Sequence, residues 1–424
     1  MKPAAALASC LLLACGKVAA PAPDASPPAA LDDTAAAASA DTRSDDAPPA
    51  SADDLAPGPS PDATPGGPGV PGTPTTDCPT SLDGVSRGLS RVITKACGIV
   101  SVTGHYAIEG GTLTLEAGTT LAFKDGADLE VGGGAAAQLI VRGSDAEPVR
   151  LTAMGDKSPG AWRGVKLRAG AHGSSLAHLA IEFAGDEDGA ALRVEADGVA
   201  LDGVSVRGAK GYGIDFERAI APRTLAGASF VDIGKAALRL DATAVGALGP
   251  GLAFAPGASL EVWGGSIAKA VTWPALGVPI VVAGPLSIDA PGALTLAPGS
   301  ELRLREGAEL VVGATGAASL SAVGSAEHPI TLVGERDEAG VWSGITFAAH
   351  ARDSTLAFVT LGGTKADRAA IQVKAGAVVR VSDVGCRKCG AATLGWECKA
   401  QLSQTNVKAL DGTPTALAAP ERCD

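Results

Sequence analysis

Short segments of alternating apolar and polar residues fill the chain from residue 78 onward. In the stretch that begins at Leu113, apolar side chains recur at every second position, and most segments are three to five residues long. Turns rich in glycine separate the segments at intervals of roughly eight to twelve residues, which is typical of strands. The i, i+3, i+4 spacing of amphipathic helices is largely absent. The pattern predicts an all-β protein, either a sandwich or barrel or a parallel β-helix.

One long stretch of this pattern occurs twice. The segment LTLEAGTTLAFKDGADLEVGG from Leu113 is matched by LTLAPGSELRLREGAELVVGA from Leu294, 181 residues later. The match extends to about Val199 and, after a one-residue deletion, aligns Trp162 with Trp342. Self-similarity at this scale marks a repeat architecture, in which each unit contacts only its neighbours. Paired hairpin signals such as Asn-Gly are missing, which argues against an antiparallel sandwich or barrel. Together with the duplication, this favours the parallel β-helix.

The two tryptophan segments also resemble a known family. WRGVKL followed by SSLAHLAIEFAG, and WSGITF followed by STLAFVTLGG, resemble the W-x-G-[IV]-x-[LF] and S-x-L-x-x-x-x-I pattern of right-handed parallel β-helix proteins of the pectate-lyase-like superfamily. The resemblance covers most of 100–385 when both copies are counted. It implies a right-handed parallel β-helix and says little about activity.

The residues between the copies resemble the lead-in to such units in bacterial β-helix lipoproteins. We therefore expect one solenoid in two consecutive segments, 78–270 and 271–424, joined near 242–280. Two separate rods are the alternative architecture.

The N-terminus has the layout of a secretory signal. Residues 1–14 contain Lys2 and a short apolar run that is too short to span a membrane. The sequence LLAC, ending at Cys15, resembles the lipobox of bacterial lipoproteins, which implies cleavage before Cys15 and acylation of that cysteine. Gly16 stands where the family associates Asp with inner-membrane retention, so we expect the outer membrane, facing the periplasm or the surface. An ordinary signal with cleavage further on is the alternative.

Residues 15–77 are mostly Ala, Pro, Asp, Ser and Gly. Such a composition cannot bury enough apolar surface to offset the entropy of ordering the chain. The segment is expected to be a disordered linker that holds the folded part away from the lipid.

Composition narrows the partners and the function classes. The net charge of −12 argues against nucleic-acid binding, which needs clustered Lys and Arg. Aromatic residues make up only 3% of the chain, so a long sugar-binding strip is not expected. The expected partners are the membrane, through the lipid anchor, and a polysaccharide or an envelope protein.

Six cysteines remain outside the signal segment and Cys15. They form two groups, one at each end of the folded part, where a solenoid needs caps: Cys78, Cys97, Cys386, Cys389, Cys398 and Cys423. An oxidising compartment favours disulfides over a redox pair or a zinc site. We predict a Cys78–Cys97 bond, with the other four cysteines paired among themselves.

No catalytic residue can be assigned from the sequence. The aspartate motifs of the related hydrolases and the Arg-x-Pro-x-x-Arg series of the lyases are absent. Trp162 and Trp342 are expected to pack at a coil corner, with sugar stacking as the alternative. Asp186, Glu187 and Asp188 form a weak calcium candidate, for which a solvated loop is the simpler interpretation. No other metal or cofactor is expected.

These observations favour a non-catalytic β-helical scaffold on an envelope lipoprotein, for structural, adhesive or ligand-binding use. The alternative is a polysaccharide lyase or hydrolase, or a carbohydrate-binding module, on the same fold. Three or more convergent acids with a basic residue in a groove of the sheet surface would favour the enzyme, whereas a smooth surface of Thr, Ser, Val and isolated charges would favour the scaffold.

Overall fold

The computed structural model describes residues 75–76, 78–411 and 415–419, and side chains from Cys78 onward. These residues form a parallel β-solenoid of about 14 turns, so the predicted all-β fold class is confirmed. The predicted signal segment, Cys15 and nearly all of the predicted linker lie outside the described residues. None of the described helices is long and apolar enough to cross a membrane.

Strands account for almost all regular structure in the described part of the chain. The strands are β1 Thr75–Thr76, β2 Ser81–Arg87, β3 Arg91–Ile93, β4 Ile99–Glu109, β5 Gly111–Glu116, β6 Thr120–Phe123, β7 Asp128–Val131, β8 Ala137–Arg142, β9 Val149–Ala153, β10 Gly164–Leu167, β11 Ser175–Ala177, β12 Leu179–Glu182, β13 Ala190–Val194, β14 Ala200–Asp202, β15 Ser205–Ala209, β16 Tyr212–Phe216, β17 Thr224–Ala226, β18 Ser229–Ile233, β19 Leu238–Leu240, β20 Ala253–Phe254, β21 Leu260–Val262, β22 Gly265–Ile267, β23 Ala270–Trp273, β24 Ile280–Val282, β25 Leu286–Ile288, β26 Ala293–Leu296, β27 Glu301–Leu304, β28 Leu310–Val312, β29 Ser319–Val323, β30 Ile330–Gly334, β31 Ile345–Phe347, β32 Ser354–Gly362, β33 Ala369–Val373, β34 Val378–Arg387, β35 Ala392–Trp396, β36 Gln401–Ala409 and β37 Leu417–Ala418. Two short 3₁₀ turns cover Lys95–Cys97 and Val245–Ala247.

Most coils of the solenoid contribute three strands, and in the last coils the long strands β32, β34 and β36 each take the place of two. Each strand pairs in parallel with its counterpart one coil away. The strands β8, β9 and β10, for example, pair with β11, β12 and β13 of the next coil. The short strands follow from the sequence, because each apolar–polar segment is only long enough for one side of a coil.

One series of paired strands runs through most of the molecule, and we call it the central ladder. It consists of the second half of β4, then β7, β10, β13, β16, β19, β21, β24, β27 and β30, and ends on the second halves of β32, β34 and β36.

The core is built from stacks of aliphatic side chains. In the central ladder one inward position is occupied in successive coils by Leu129, Val165, Leu192, Ile214, Leu238, Leu260, Ile280, Leu302, Leu332 and Leu361. All ten are buried. Burying one such side chain contributes roughly 1.5–3 kcal/mol relative to leaving it exposed, which makes these stacks the main source of stability.

Duplicated glycines mark places where the chain packs too closely for a side chain. Gly132 and Gly313 occupy matching positions in the two copies and have φ of +75° and +72°. A Cβ atom at either position would collide with the backbone nitrogen of Ala171 or Ala351, respectively, in the next coil. Only glycine combines this conformation with this approach, which explains why both copies keep it.

The two sequence copies do not occupy equivalent ladders. In the first copy, β6 pairs with β9 outside the central ladder, whereas β7 belongs to the central ladder. In the second copy, β27 aligns in sequence with β6 but lies in the central ladder, and β28, which aligns with β7, lies in a separate seven-stranded sheet. The second copy is therefore shifted by one strand position around the coil.

This shift occurs between β17 and β24. One seven-stranded sheet ends at β17 and another begins at β22, and β20 does not pair with β23. Among the described strands, only the central ladder crosses this region, through the pairs β19–β21 and β21–β24. We call this region the junction. The division predicted between residues 270 and 271 falls within it and stays a prediction.

Candidate functional site

A row of charged side chains covers the outer surface of the central ladder in the first half of the solenoid. Each strand places one charged residue between two buried apolar residues, in the order Glu130, Lys166, Arg193, Asp215, Arg239 and Glu261. Parallel pairing brings these positions to about 4.8 Å from one coil to the next. Because acids and bases are equal in number, the row has no net charge.

Asp215 lies at the centre of the row and is only 1% exposed. Arg239 donates from Nε to Oδ1 and from Nη2 to Oδ2, both at 2.7 Å. Arg193, one coil away on the other side, donates to Oδ2 at 2.6 Å. The carboxylate is held from both sides by guanidinium groups, which matches the fork geometry that makes such pairs strong.

Glu261 is a second buried acid in the row, 2% exposed. Arg305 donates to its Oε2 at 2.7 Å, and the hydroxyl of Tyr212 lies 3.4 Å from Oε1. Arg305 also donates to Glu335 at 3.3 Å. Glu261 lies on β21 within the junction and Arg305 follows β27, so this ion pair connects the junction to the coils of the second copy.

The guanidinium of Arg239 is packed between two aromatic rings. Its Cζ lies 3.8 Å from the ring centre of Tyr212 and 3.9 Å from that of Trp263. The Cζ of Arg218 also lies over the Trp263 ring, 4.8 Å from its centre. Burial opposes the charge of Arg239, but hydrogen bonding to Asp215 and the nearby acidic charges together outweigh burial and hold the pKa above its ordinary value. Burial, followed by the nearby Glu261 charge, raises the pKa of Tyr212. The arginine is therefore cationic and the tyrosine neutral at physiological pH.

Arg168 and Glu195, which lie two residues after Lys166 and Arg193, extend the ion-pair network beyond the row. Arg168 donates to Glu130 at 2.9 Å and to Glu195 at 3.1 Å, and Arg193 bonds to both Glu195 and Glu217. Burial alone would raise the pKa of Glu195, but hydrogen bonds from Arg193 and Arg168 outweigh it, so that the pKa is lowered. This carboxyl group is a poor candidate for a general acid, which needs a raised pKa.

A smaller cluster lies at the N-terminal end of the same surface. Asp128 is buried, with His105 Nδ1 3.1 Å from Oδ1 and Lys166 Nζ 3.5 Å from Oδ2. This cluster and the row above contain all the buried carboxylates of the described residues, and each has a cationic or histidine partner.

The two duplicated tryptophans are packing residues in this structure. Trp162 is 1% exposed and Trp342 is fully buried. Each indole Nε1 donates at 2.8 Å to a carbonyl oxygen twenty residues later, Glu182 in one copy and Gly362 in the other. Phe123 stacks on Trp162 with ring centres 3.9 Å apart. Neither side chain is therefore exposed at the surface of this structure.

The acidic loop lies next to lysines of the following coils. Glu187 is 3.3 Å from Lys210 and Asp188 is 3.1 Å from Lys235. No group of three or more His, Cys, Asp or Glu side chains within the described residues is arranged to hold a metal ion. For Asp186, Glu187 and Asp188 the solvated loop stays the prediction, with calcium binding as its alternative.

The cysteines of the described residues are in disulfides. Cys78 bonds to Cys97, with Cα atoms 4.8 Å apart, at the first coils. Cys386 bonds to Cys389, with Cα atoms 5.9 Å apart, at the last coils. Cys398 is also disulfide-bonded, and Cys423 lies outside the described residues.

The charged row was not predicted from the sequence, although its signal is present there. Segments such as DLEV, GVKL, ALRV and GIDF each place one charge between two apolar residues. Recognising a row requires the register between coils of unequal length, which the sequence alone does not supply.

Fold and site together define a parallel β-solenoid that carries a network of ion pairs on the outer surface of its central ladder. No family model matches the chain, and comparisons with curated proteins and with solved structures gave no significant match.

Proposed function

We propose that the protein is an envelope lipoprotein, anchored through an acylated Cys15, that presents its solenoid as a non-catalytic scaffold at the cell surface. The observation that supports this proposal is the closure of the ion-pair network. The carboxylates of Asp215 and Glu261 are buried and bonded to arginines of neighbouring coils, and the network crosses the junction at Arg305. Such an arrangement fixes the register of adjacent coils, and it leaves neither Asp215 nor Glu261 open for acid–base chemistry.

The resemblance of LLAC to the lipobox supports the anchor, and the composition of 15–77 supports a spacer. The test is expression of the full chain in a diderm bacterium with radiolabelled palmitate. We expect label in the wild type and in Cys10→Ser, and none in Cys15→Ser. Label that persists in Cys15→Ser would contradict the anchor. Protease accessibility of intact cells then distinguishes surface from periplasmic exposure.

The non-catalytic part is tested by incubating the purified protein with a panel of acidic and neutral polysaccharides, with and without calcium. We expect no new reducing ends and no unsaturated products. Reproducible release of either would overturn this part of the proposal.

The second candidate is a polysaccharide-active enzyme of the pectate-lyase-like type, and the convergence of Asp215, Glu261 and Glu195 on one sheet surface favours it. Three acids and several basic residues therefore converge there, but Asp215 and Glu261 are buried against arginines instead of lining a groove. If turnover is found, Asp215→Asn and Glu261→Gln should abolish it, whereas activity that survives both substitutions would place the chemistry elsewhere. Binding to the panel without turnover would indicate a carbohydrate-binding module.

A further inference from the structure

The outer row of the central ladder changes character beyond the junction. After Glu261 the same position is occupied in successive coils by Val281, Arg303, Val333, Gly362 and Arg387. The first six positions balance three acids against three bases, whereas these five contain two arginines and no acid. The second half of the row is therefore cationic and apolar.

The last four of these residues form the floor and ends of a groove. Arg303 and Arg387 stand at its two ends, three coil spacings or about 14 Å apart along the axis, and Val333 and Gly362 lie between them. The loop from Glu335 to Asp337 forms one side, and its position is fixed by Lys388, which contacts Asp337 at 2.9 Å. The enclosed space is about 400 Å³.

The absence of a side chain at Gly362 keeps the floor open. A Cβ atom there would lie 3.1 Å from Cγ1 of Val333, so any larger residue would fill the middle of the groove. Val333 lies on β30 of the central ladder and is only half-buried, so it offers apolar surface to a ligand.

The two arginines differ in how their charge is balanced. Arg303 donates to Glu301 of its own strand at 2.7 Å. Arg387 is exposed, and none of the ion pairs formed among the described residues includes it. An unpaired guanidinium at the end of an apolar floor is suited to a carboxylate or phosphate, which it can bind with two parallel hydrogen bonds.

We infer that this groove binds a small amphipathic anion, with a carboxylate or phosphate on Arg387 and an apolar body over Gly362 and Val333. The anionic group supplies the negative charge that the second half of the row lacks, and the apolar part of the ligand covers the exposed surface of Val333. The inference does not depend on the lipid anchor or on the absence of catalysis, because it rests on the geometry of the second half of the solenoid alone.

The test uses 8-anilinonaphthalene-1-sulfonate, a fluorescent amphipathic anion, titrated into the full-length protein. We expect saturable binding that weakens about tenfold or more in Arg387→Ala, the loss typical of a hydrogen bond to a charged group. Val333→Asp, which places a negative charge in the floor, should weaken binding by a similar factor. The matched control is Arg207→Ala, which removes an exposed arginine in the first half of the solenoid and should leave binding unchanged.

Competition identifies the ligand chemistry. Hexanoate and hexyl phosphate should displace the probe, and their relative strength distinguishes carboxylate from phosphate. Acetate, inorganic phosphate and 1-hexanol, which each lack the body or the anion, should compete at least tenfold less well. The inference is overturned if Arg387→Ala binds like Arg207→Ala, or if inorganic phosphate competes as well as hexyl phosphate. Unchanged circular dichroism of each variant excludes loss of the fold as the cause.

Discussion

Replacing Asp215 with asparagine tests whether the charged row holds adjacent coils together. The amide is nearly the same size as the carboxylate, so the change leaves packing intact and removes the charge. One of its two polar atoms becomes an NH₂ donor, which faces the donors of Arg193 and Arg239 instead of accepting from them. Two guanidinium groups then lose their shared anion in a site that is 1% exposed.

The size of the effect follows from the burial of the three partners. Removing one member of a fully buried ion pair costs about 3–5 kcal/mol, because the remaining charge is left uncompensated. Here the side chain of Arg239 is 12% exposed, but that of Arg193 is 30% exposed and keeps Glu195 and Glu217 as partners. Solvent and the remaining acids offset part of the loss, so we expect the free energy of unfolding to fall by about 2–3 kcal/mol.

Urea unfolding followed by far-ultraviolet circular dichroism gives the global effect. Because a long solenoid can unfold in parts, native-state hydrogen exchange should accompany it. We expect the loss of protection to concentrate in peptides that cover β16, β19 and β21, with little change in β31 to β35.

The matched control is Asp232→Asn, which removes an exposed carboxylate 4.0 Å from Arg207. A surface pair of this kind contributes about 0–1 kcal/mol. If Asp215→Asn and Asp232→Asn shift stability equally, or if exchange rises uniformly along the solenoid, the row does not couple the coils.

Three further results are expected. Trp342→Phe should lower the free energy of unfolding by about 1–3 kcal/mol, because the phenyl ring leaves the carbonyl of Gly362 without its buried donor; a loss below 0.5 kcal/mol in urea unfolding would contradict that role. Replacing both Cys78 and Cys97 by alanine should destabilise the first coils by about 3 kcal/mol, the entropy of closing a loop of this length, and trypsin should then cleave there first; an unchanged cleavage pattern would count against the cap. The pKa of Glu195 is lowered in the folded state from 4.5, so its contribution is complete above that pH and is lost as the pH falls through the folded value; Glu195→Gln should therefore reduce the loss of stability on acidification, and identical pH profiles for the variant and the wild type would refute this.

The fold could be predicted because its determinants are local in the sequence. The alternation around Leu113 sets strand length and the inward side, glycines such as Gly132 mark the close turns, and the match of Trp162 to Trp342 reveals the repeat. Each of these signals lies within one coil or is visible as a direct sequence copy.

The site could not be predicted, because its contacts join residues of different coils. Arg239 meets Asp215 and Trp263 at separations of about one coil. The coils along the charged row vary in length from 22 residues, between Arg193 and Asp215, to 36 residues, between Glu130 and Lys166. Trp263 has no counterpart in either copy and no local pattern, so its ring appears as a partner of Arg239 only when the coils are stacked. The one-strand shift at the junction was hidden for the same reason, since it changes no residue in the duplicated segments.

That shift has a consequence for valency. Two copies of a recognition element usually strengthen binding when one partner can engage both at once, which requires that they point to the same side. Here matching residues of the two copies lie in different ladders and so look out from different sides of the solenoid. A partner that recognised the shared sequence could not engage both copies with one flat surface, and the duplication therefore lengthens the molecule without making it bivalent.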